Sequence, residues 1–333
     1  MKSSIPQPRL AALALGLLGL VVLLGAPAAA EEPARATTSE GPAAGASRTA
    51  APLPTLPGTH RLSIPEHLQR RTPAAGSPKP RPVLQQCEGA LPPPGDYRPP
   101  FGERLGFDLE VMGVRAGRLD LRWSPDTAGA ARIDVLAQTN TFFENVRKLR
   151  GEGTSYLTLE DLRPTRYRED AVEDAVAKWA DVLFRKDRGE AQIHYAYGAK
   201  ERRLAFPMST GPHDILSAIF YLRTLDLAIG QSFCLDVYGN RRIWRMKGAV
   251  ETEEWVSTPV GKFKTWRLSG VAQRIDMPSS TKEIHLWIAQ DEHRTPVAVL
   301  GEIDLGAVTA TLSSVKRPGE PELKPEARTG GTW

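Results

Sequence analysis

Between Glu103 and Leu312 apolar and polar side chains alternate with a period of two, and this patterning dictates strands. Leu105, Phe107, Leu109 and Val111 alternate with Arg104, Gly106, Asp108 and Glu110, which puts the apolar set on one face of an extended segment. Leu119, Leu121 and Trp123 alternate with Arg118, Asp120 and Arg122 in the same way. Met112-Gly-Val-Arg-Ala-Gly117 lies between them as a turn or bulged connection, and Pro125-Asp-Thr-Ala-Gly129 closes the second strand. Further strand signals fall at 132–138, 153–159, 179–184, 191–197, 232–238, 242–247, 249–255, 263–269, 283–289, 296–302 and 307–312. About a dozen short strands with one polar face predict a mainly β fold: a curved antiparallel sheet, a barrel or a half-barrel.

One segment breaks the alternation. Ile215-Leu-Ser-Ala-Ile-Phe-Tyr-Leu-Arg-Thr-Leu225 is long enough for a helix, with Asp214 placed to cap its start and Gly230 beyond its end. Asp214, Ser217, Tyr221 and Thr224 fall on one stripe and the remainder is apolar. A helix at about 213–227 should therefore pack on the concave or open side of the sheet.

Lys2 and Arg9 precede an uncharged run from Leu10 to Leu24, and Ala28, Ala29 and Ala30 stand before Glu31. That is the order of a secretory signal peptide, here residues 1–30. As a helix the apolar run would rise about 22 Å, short of the roughly 30 Å hydrocarbon core, which favours cleavage after Ala30 over a retained anchor. The expectation is a periplasmic or secreted protein with no transmembrane segment after cleavage. Fifteen of the 28 prolines fall within residues 31–100, whereas all seven tryptophans stand at 123 or later, so one core-bearing domain is expected. Residues 31–97 read as a Pro/Ala-rich disordered tether, 98–315 as the β domain and 316–333 as a disordered tail. The formal charge of +4 loses Lys2 and Arg9 with the signal, leaving +2 and no case for nucleic-acid capture.

An ordered set of segments resembles the bacterial domain of unknown function 3108 family. The set comprises Phe101-Gly-Glu-Arg-Leu-Gly-Phe-Asp-Leu-Glu110 with Gly113-Val-Arg-Ala-Gly117, the helix Asp214 to Arg223, the corner Thr258-Pro-Val-Gly-Lys-Phe263, and the hairpin Leu286-Trp-Ile-Ala-Gln-Asp291 with Arg294-Thr-Pro296. The resemblance covers about residues 98–315 and implies an exported, mainly β domain without an established activity.

No H-E-x-x-H, G-x-S-x-G, C-x-x-C, P-loop or strand-linked G-x-G-x-x-G is present, and the sequence predicts no cofactor, no metal and no catalytic residues. His285 reads as a solvated or lumen-facing histidine and His213 as a neighbour of the helix cap. Glu169, Asp170, Glu173 and Asp174 read as surface charge, as do Arg147, Lys148 and Arg150, which can pair with them or take a phosphate. Tyr221, Arg223 and Trp287 are the candidate ligand-binding residues. Arg223 offers a fork of donors and Tyr221 a ring with a polar tip, suited to an amphipathic ligand. The reading preferred for these two has Arg223 paired with a strand carboxylate and Tyr221 sealing the helix onto the sheet, because helix-on-sheet packing requires such residues.

Cys87 and Cys234 are the only cysteines, and in an oxidising compartment a disulfide between them is expected. The alternative is a buried thiol at 234 and an unrelated exposed one at 87. Three functional classes fit. The reading adopted is a non-catalytic binding or carrier module for a lipid-like or other amphipathic ligand, which an apolar cavity of several hundred cubic ångströms would support. An envelope assembly or scaffold protein contacting other envelope proteins, and a hydrolase without a recognisable motif, are the alternatives.

Overall fold

The computed structural model describes residues 82–88, 91–208, 210–303 and 305–325. The expected signal peptide, the tether before residue 82 and the tail beyond 325 lie outside the described residues. Strands β1 (Arg104–Val111), β2 (Val114–Pro125), β3 (Ala130–Thr139), β4 (Leu149–Thr158), β5 (Pro164–Glu173), β6 (Val176–Arg185), β7 (Glu190–Tyr197) and β8 (Lys200–Pro207) form an antiparallel meander that ends at one sheet edge. The chain then passes through β9 (His213–Asp214) and helix α1 (Ile215–Leu222) to the opposite edge. It returns through β10 (Ser232–Gly239), β11 (Arg242–Thr258), β12 (Gly261–Arg274), β13 (Thr281–Ala289), β14 (Pro296–Ile303) and β15 (Gly306–Lys316), the last pairing with β1. Only the short β9–β10 contact is parallel.

The result is one open, curved sheet of fifteen strands. Its inner face wraps α1, every residue of which is buried. Trp123 of β2 stacks on Phe220 at a centroid distance of 5.2 Å. The two arms of the sheet meet beyond the helix start without a shared ladder. Tyr167 of β5 lies 5.5 Å from Tyr238 of β10, and Arg241, in the β10–β11 turn, lies over Tyr195 and Tyr197 of β7. The half-barrel is thus drawn together by side chains, not by a closing strand pair.

Several expectations are corrected. The β1–β2 turn is only Met112-Gly113, both with positive φ as a two-residue hairpin turn requires. The signals at 242–247 and 249–255 are one 17-residue strand, β11, and β5, β8 and β9 are additional. In β5, Arg166, Arg168, Glu169 and Asp170 put charge at both parities. At the edge strand β8 most side chains are solvated, so neither shows a clean alternation.

The domain also extends beyond both expected boundaries. Gln85 donates its backbone N–H to Gln273, and Cys87 is bridged to Cys234 with a Cα–Cα distance of 5.6 Å. After β15, Arg317 is buried and Leu323 pairs with Val315. The described parts of 82–97 and 317–325 are therefore packed on the sheet. Among the described residues no helix is long and apolar enough to cross a membrane.

Candidate functional site

At the start of α1 the carboxylate of Asp214 accepts the N–H groups of Leu216 and Ser217 at 2.9 and 3.0 Å, and Ser217 Oγ accepts the Asp214 N–H in return, a capping box. Ser155 of β4 donates to the same carboxylate at 2.5 Å. His213 is buried beside the Tyr221 ring, and burial pushes its imidazole down to about 3, so it is neutral. The capping role accounts for Asp214, with no proton-exchanging pair beside it.

Arg223, the residue after α1, is fully buried. Its Nη1 and Nη2 grip Glu103 at 2.8 and 3.1 Å, Nε donates to the Arg294 carbonyl, and Nη2 also reaches Tyr97 and the His293 carbonyl. Arg317 Nε donates at 2.9 Å to Glu103 Oε1, the oxygen that Arg223 Nη2 also reaches. Burial alone would raise the Glu103 pKa, but the two guanidinium groups outweigh it and hold the carboxyl below its ordinary value. Tyr221 is buried and donates to the Pro92 carbonyl at 2.5 Å. Trp287 is on β13 facing away from α1, where it packs with Val256 and Val297 and donates to Glu254 at 2.8 Å. The three candidate residues therefore do not converge. Arg223 and Tyr221 tie the N-terminal approach, the helix and the β13–β14 loop together, and no donor of Arg223 is turned toward a ligand.

Two concavities lie elsewhere. Between the Ile215, Ile219 and Leu222 side of α1 and the inner face of β10–β14 runs a wholly apolar slot, which encloses only about 40 Å³. The larger concavity, about 920 Å³, is a groove on the outer face of β1–β5 and β15. Its side chains follow the sheet register. Lys316, Arg104, Arg122, Asp134, Thr154 and Arg168 stand directly opposite one another on successive strands. Gly106 and Leu136 contribute to its floor.

Glu169 of β5 points to the inner face, where Tyr238 donates to it beside Tyr167 and the two arms meet. Burial raises it to about 7 against the lowering pull of Arg241 and the tyrosine hydroxyls, and its Oε2 is buried with no hydrogen-bond partner among the described residues. Glu173 is fully buried and pairs with Arg147 and Lys178. The expectation of a wholly surface acidic cluster fails for these two residues because β5 is an interior strand, so alternate members of the run point inward.

His285 is likewise not freely solvated. Its Nδ1 lies 2.8 Å from Ser269 Oγ and its Nε2 2.9 Å from Glu283. Residues 269 and 285 are direct cross-strand partners, a pairing invisible until β12 and β13 are in register. Among the described residues no group of three His, Cys, Asp or Glu side chains is arranged to hold a metal ion.

A crystal structure of a β-barrel-like protein of domain of unknown function DUF1849 from Brucella abortus is similar at 11% identity, covering 66% of this chain and 99% of that one with a TM-score of 0.46. The hypothetical protein CT021 from Chlamydia trachomatis is similar at 8% identity, covering 68% and 91% with a TM-score of 0.28. Neither likeness carries an inference about fold or function. A search among curated proteins found no match. The family model described as protein of unknown function (DUF3108) matches residues 106–313, from within β1 to within β15. With more than half of its length and nearly the whole sheet inside that match, the chain belongs to the DUF3108 family.

Proposed function

We propose that this protein is an exported, non-catalytic binding module that holds a polar, charged ligand in the outer groove. The observation that carries the reading is the groove itself. Its volume of about 920 Å³ is that of a small-ligand site, about 300–1,000 Å³, and its walls stand on hydrogen-bonded strands, which hold a site more rigidly than loops do. The Cys87–Cys234 bridge and the signal-peptide order of residues 1–30 support export. An amphipathic ligand would need apolar and polar walls in one cavity. The groove's side chains are mostly charged or hydroxyl-bearing, and the wholly apolar slot beside α1 encloses only about 40 Å³, so the ligand class is revised to a polar one.

Native mass spectrometry of the protein purified from its own envelope tests this. The expected result is a retained mass increment that disappears in Leu136→Trp, which fills the groove floor without touching α1. No increment, or one indifferent to the substitution, would overturn the reading.

Ser269, His285 and Glu283 favour a second reading, a hydrolase, because a hydroxyl, an imidazole and a carboxylate follow one another at hydrogen-bond distance. Against it, Ser269 Oγ donates to Glu251 at 2.5 Å. The hydroxyl proton is thereby directed away from the imidazole. The surrounding strand amides are committed to the β11–β12–β13 ladders and cannot form an oxyanion site. Labelling of Ser269 by a fluorophosphonate probe, lost in His285→Ala, would decide for the hydrolase; no labelling decides against it.

A further inference from the structure

We propose that the outer groove binds an extended polyanion, a chain of carboxylate or phosphate groups, along the cross-strand row Lys316, Arg104 and Arg122. The proposal rests on the groove being the ligand site and adds the chemical class of the ligand. In register, Arg104 of β1 stands directly opposite both Lys316 of β15 and Arg122 of β2. Side chains so placed have Cβ atoms about 4.5–5.5 Å apart, and like charges there destabilise the sheet.

Several other cations on this face are relieved by neighbouring carboxylates. Arg118 is paired with Asp120, Arg132 with Asp134, and Arg166 with Asp181. The row is not relieved in that way. Arg104 and Arg122 make no ion pair among the described residues, Lys316 donates to the Glu320 carbonyl, and all three are exposed. Anions arrayed across the strands would remove the repulsion, and each guanidinium can take a carboxylate or phosphate with two parallel donors.

Beside the row, the Arg118 guanidinium crosses over Gly106 to Ser314 Oγ, and a Cβ at 106 would come within 2.3 Å of Ser314 Oγ and 2.7 Å of Arg118. Ser314, Thr154 and Tyr156 add hydroxyls to the walls. Asp120 and Asp134 border the row. Glu152, Asp170 and Glu322 also line the groove, and a cationic row flanked by carboxylates suits an anionic chain aligned with the row over a flat anionic bilayer.

The test is calorimetric titration of the full exported chain with four probes: sodium tripolyphosphate, polygalacturonate, orthophosphate and phosphatidylglycerol vesicles. Tripolyphosphate or polygalacturonate should bind more tightly than orthophosphate, and which of them does so identifies phosphate or carboxylate as the source. Added salt should weaken the binding. Arg104→Gln with Arg122→Gln should reduce affinity by about tenfold or more, as loss of charge-assisted hydrogen bonds implies. Arg150→Gln, on the same face but outside the groove, should leave it unchanged. Relief of repulsion should leave the melting temperature of the double variant level or higher, which separates lost binding from lost folding. Equal binding by the double variant, an equal loss with Arg150→Gln, equal affinity for orthophosphate, or binding to vesicles alone would overturn the proposal. A zwitterionic or singly charged ligand retained in the groove would overturn the polyanion assignment while leaving the binding-module reading intact.

Discussion

The buried charges of this protein are structural at one place and titratable at another. Around Glu103, the guanidinium groups of Arg223 and Arg317 leave the carboxylate surrounded by donors. Removing one partner strands a buried charge, so Arg223→Ala should lower stability by about 3–5 kcal/mol in denaturant titration. Because the folded-state pKa of Glu103 is depressed, its contribution is present above the ordinary value of 4.5 and is lost as pH falls below it.

Glu169 behaves in the opposite sense. Its raised value means the folded chain holds the proton more tightly than the unfolded chain does, so stability declines as pH rises from 4.5 to about 7. Melting temperatures of Glu169→Gln across that window should lose this decline; an unchanged slope would show that Glu169 is not its source. The behaviour of Glu169 was not legible in the sequence. Glu169 and Glu173 read as one charged run because the parity of β5 is hidden by charges on both of its faces. Arg223 was legible only as a choice between ligand and strand carboxylate, which the position of Glu103 resolves.

At the scale of the element, α1 was readable in outline because its cap, its apolar breadth and the following glycine all agree. Its regular part, Ile215–Leu222, is shorter than the expected 213–227 because residues 213 and 214 are taken into β9 and the chain turns after Arg223. Ile219 is 6% exposed, and Ile219→Ala should cost about 2–5 kcal/mol in thermal or chemical unfolding. A near-zero cost would mean that the apolar slot yields without penalty. Asp214→Ala should cost about 0.5–2 kcal/mol for the lost cap, with a further penalty for the buried Ser155 hydroxyl left without its acceptor. Asp214→Asn should recover much of the cap, since an amide oxygen can accept the same two N–H groups.

For the whole molecule, the alternation of Leu105–Val111 and Leu119–Trp123 was enough to foresee a curved antiparallel sheet, because one face had to be buried. Its openness was not foreseeable, since the arms meet through Tyr167, Tyr238 and Arg241, residues far apart in sequence. The groove was hidden for a related reason. Lys316, Arg104 and Arg122 come from three strands and become neighbours only through register.

The Cys87–Cys234 bridge spans 147 residues and fastens the N-terminal approach to β10. Replacing both cysteines by serine should lower stability by about 2–5 kcal/mol.

The central claim, that ligand is held on the outer face of β1–β5 and β15, is tested most directly by carbene footprinting of protein taken from its own envelope, against the same protein stripped by unfolding and refolding with its disulfide intact. The account predicts protection of 104–106, 118–122 and 132–136 in the unstripped protein. Protection confined to 215–222 and 284–286, beside the apolar slot, would contradict it.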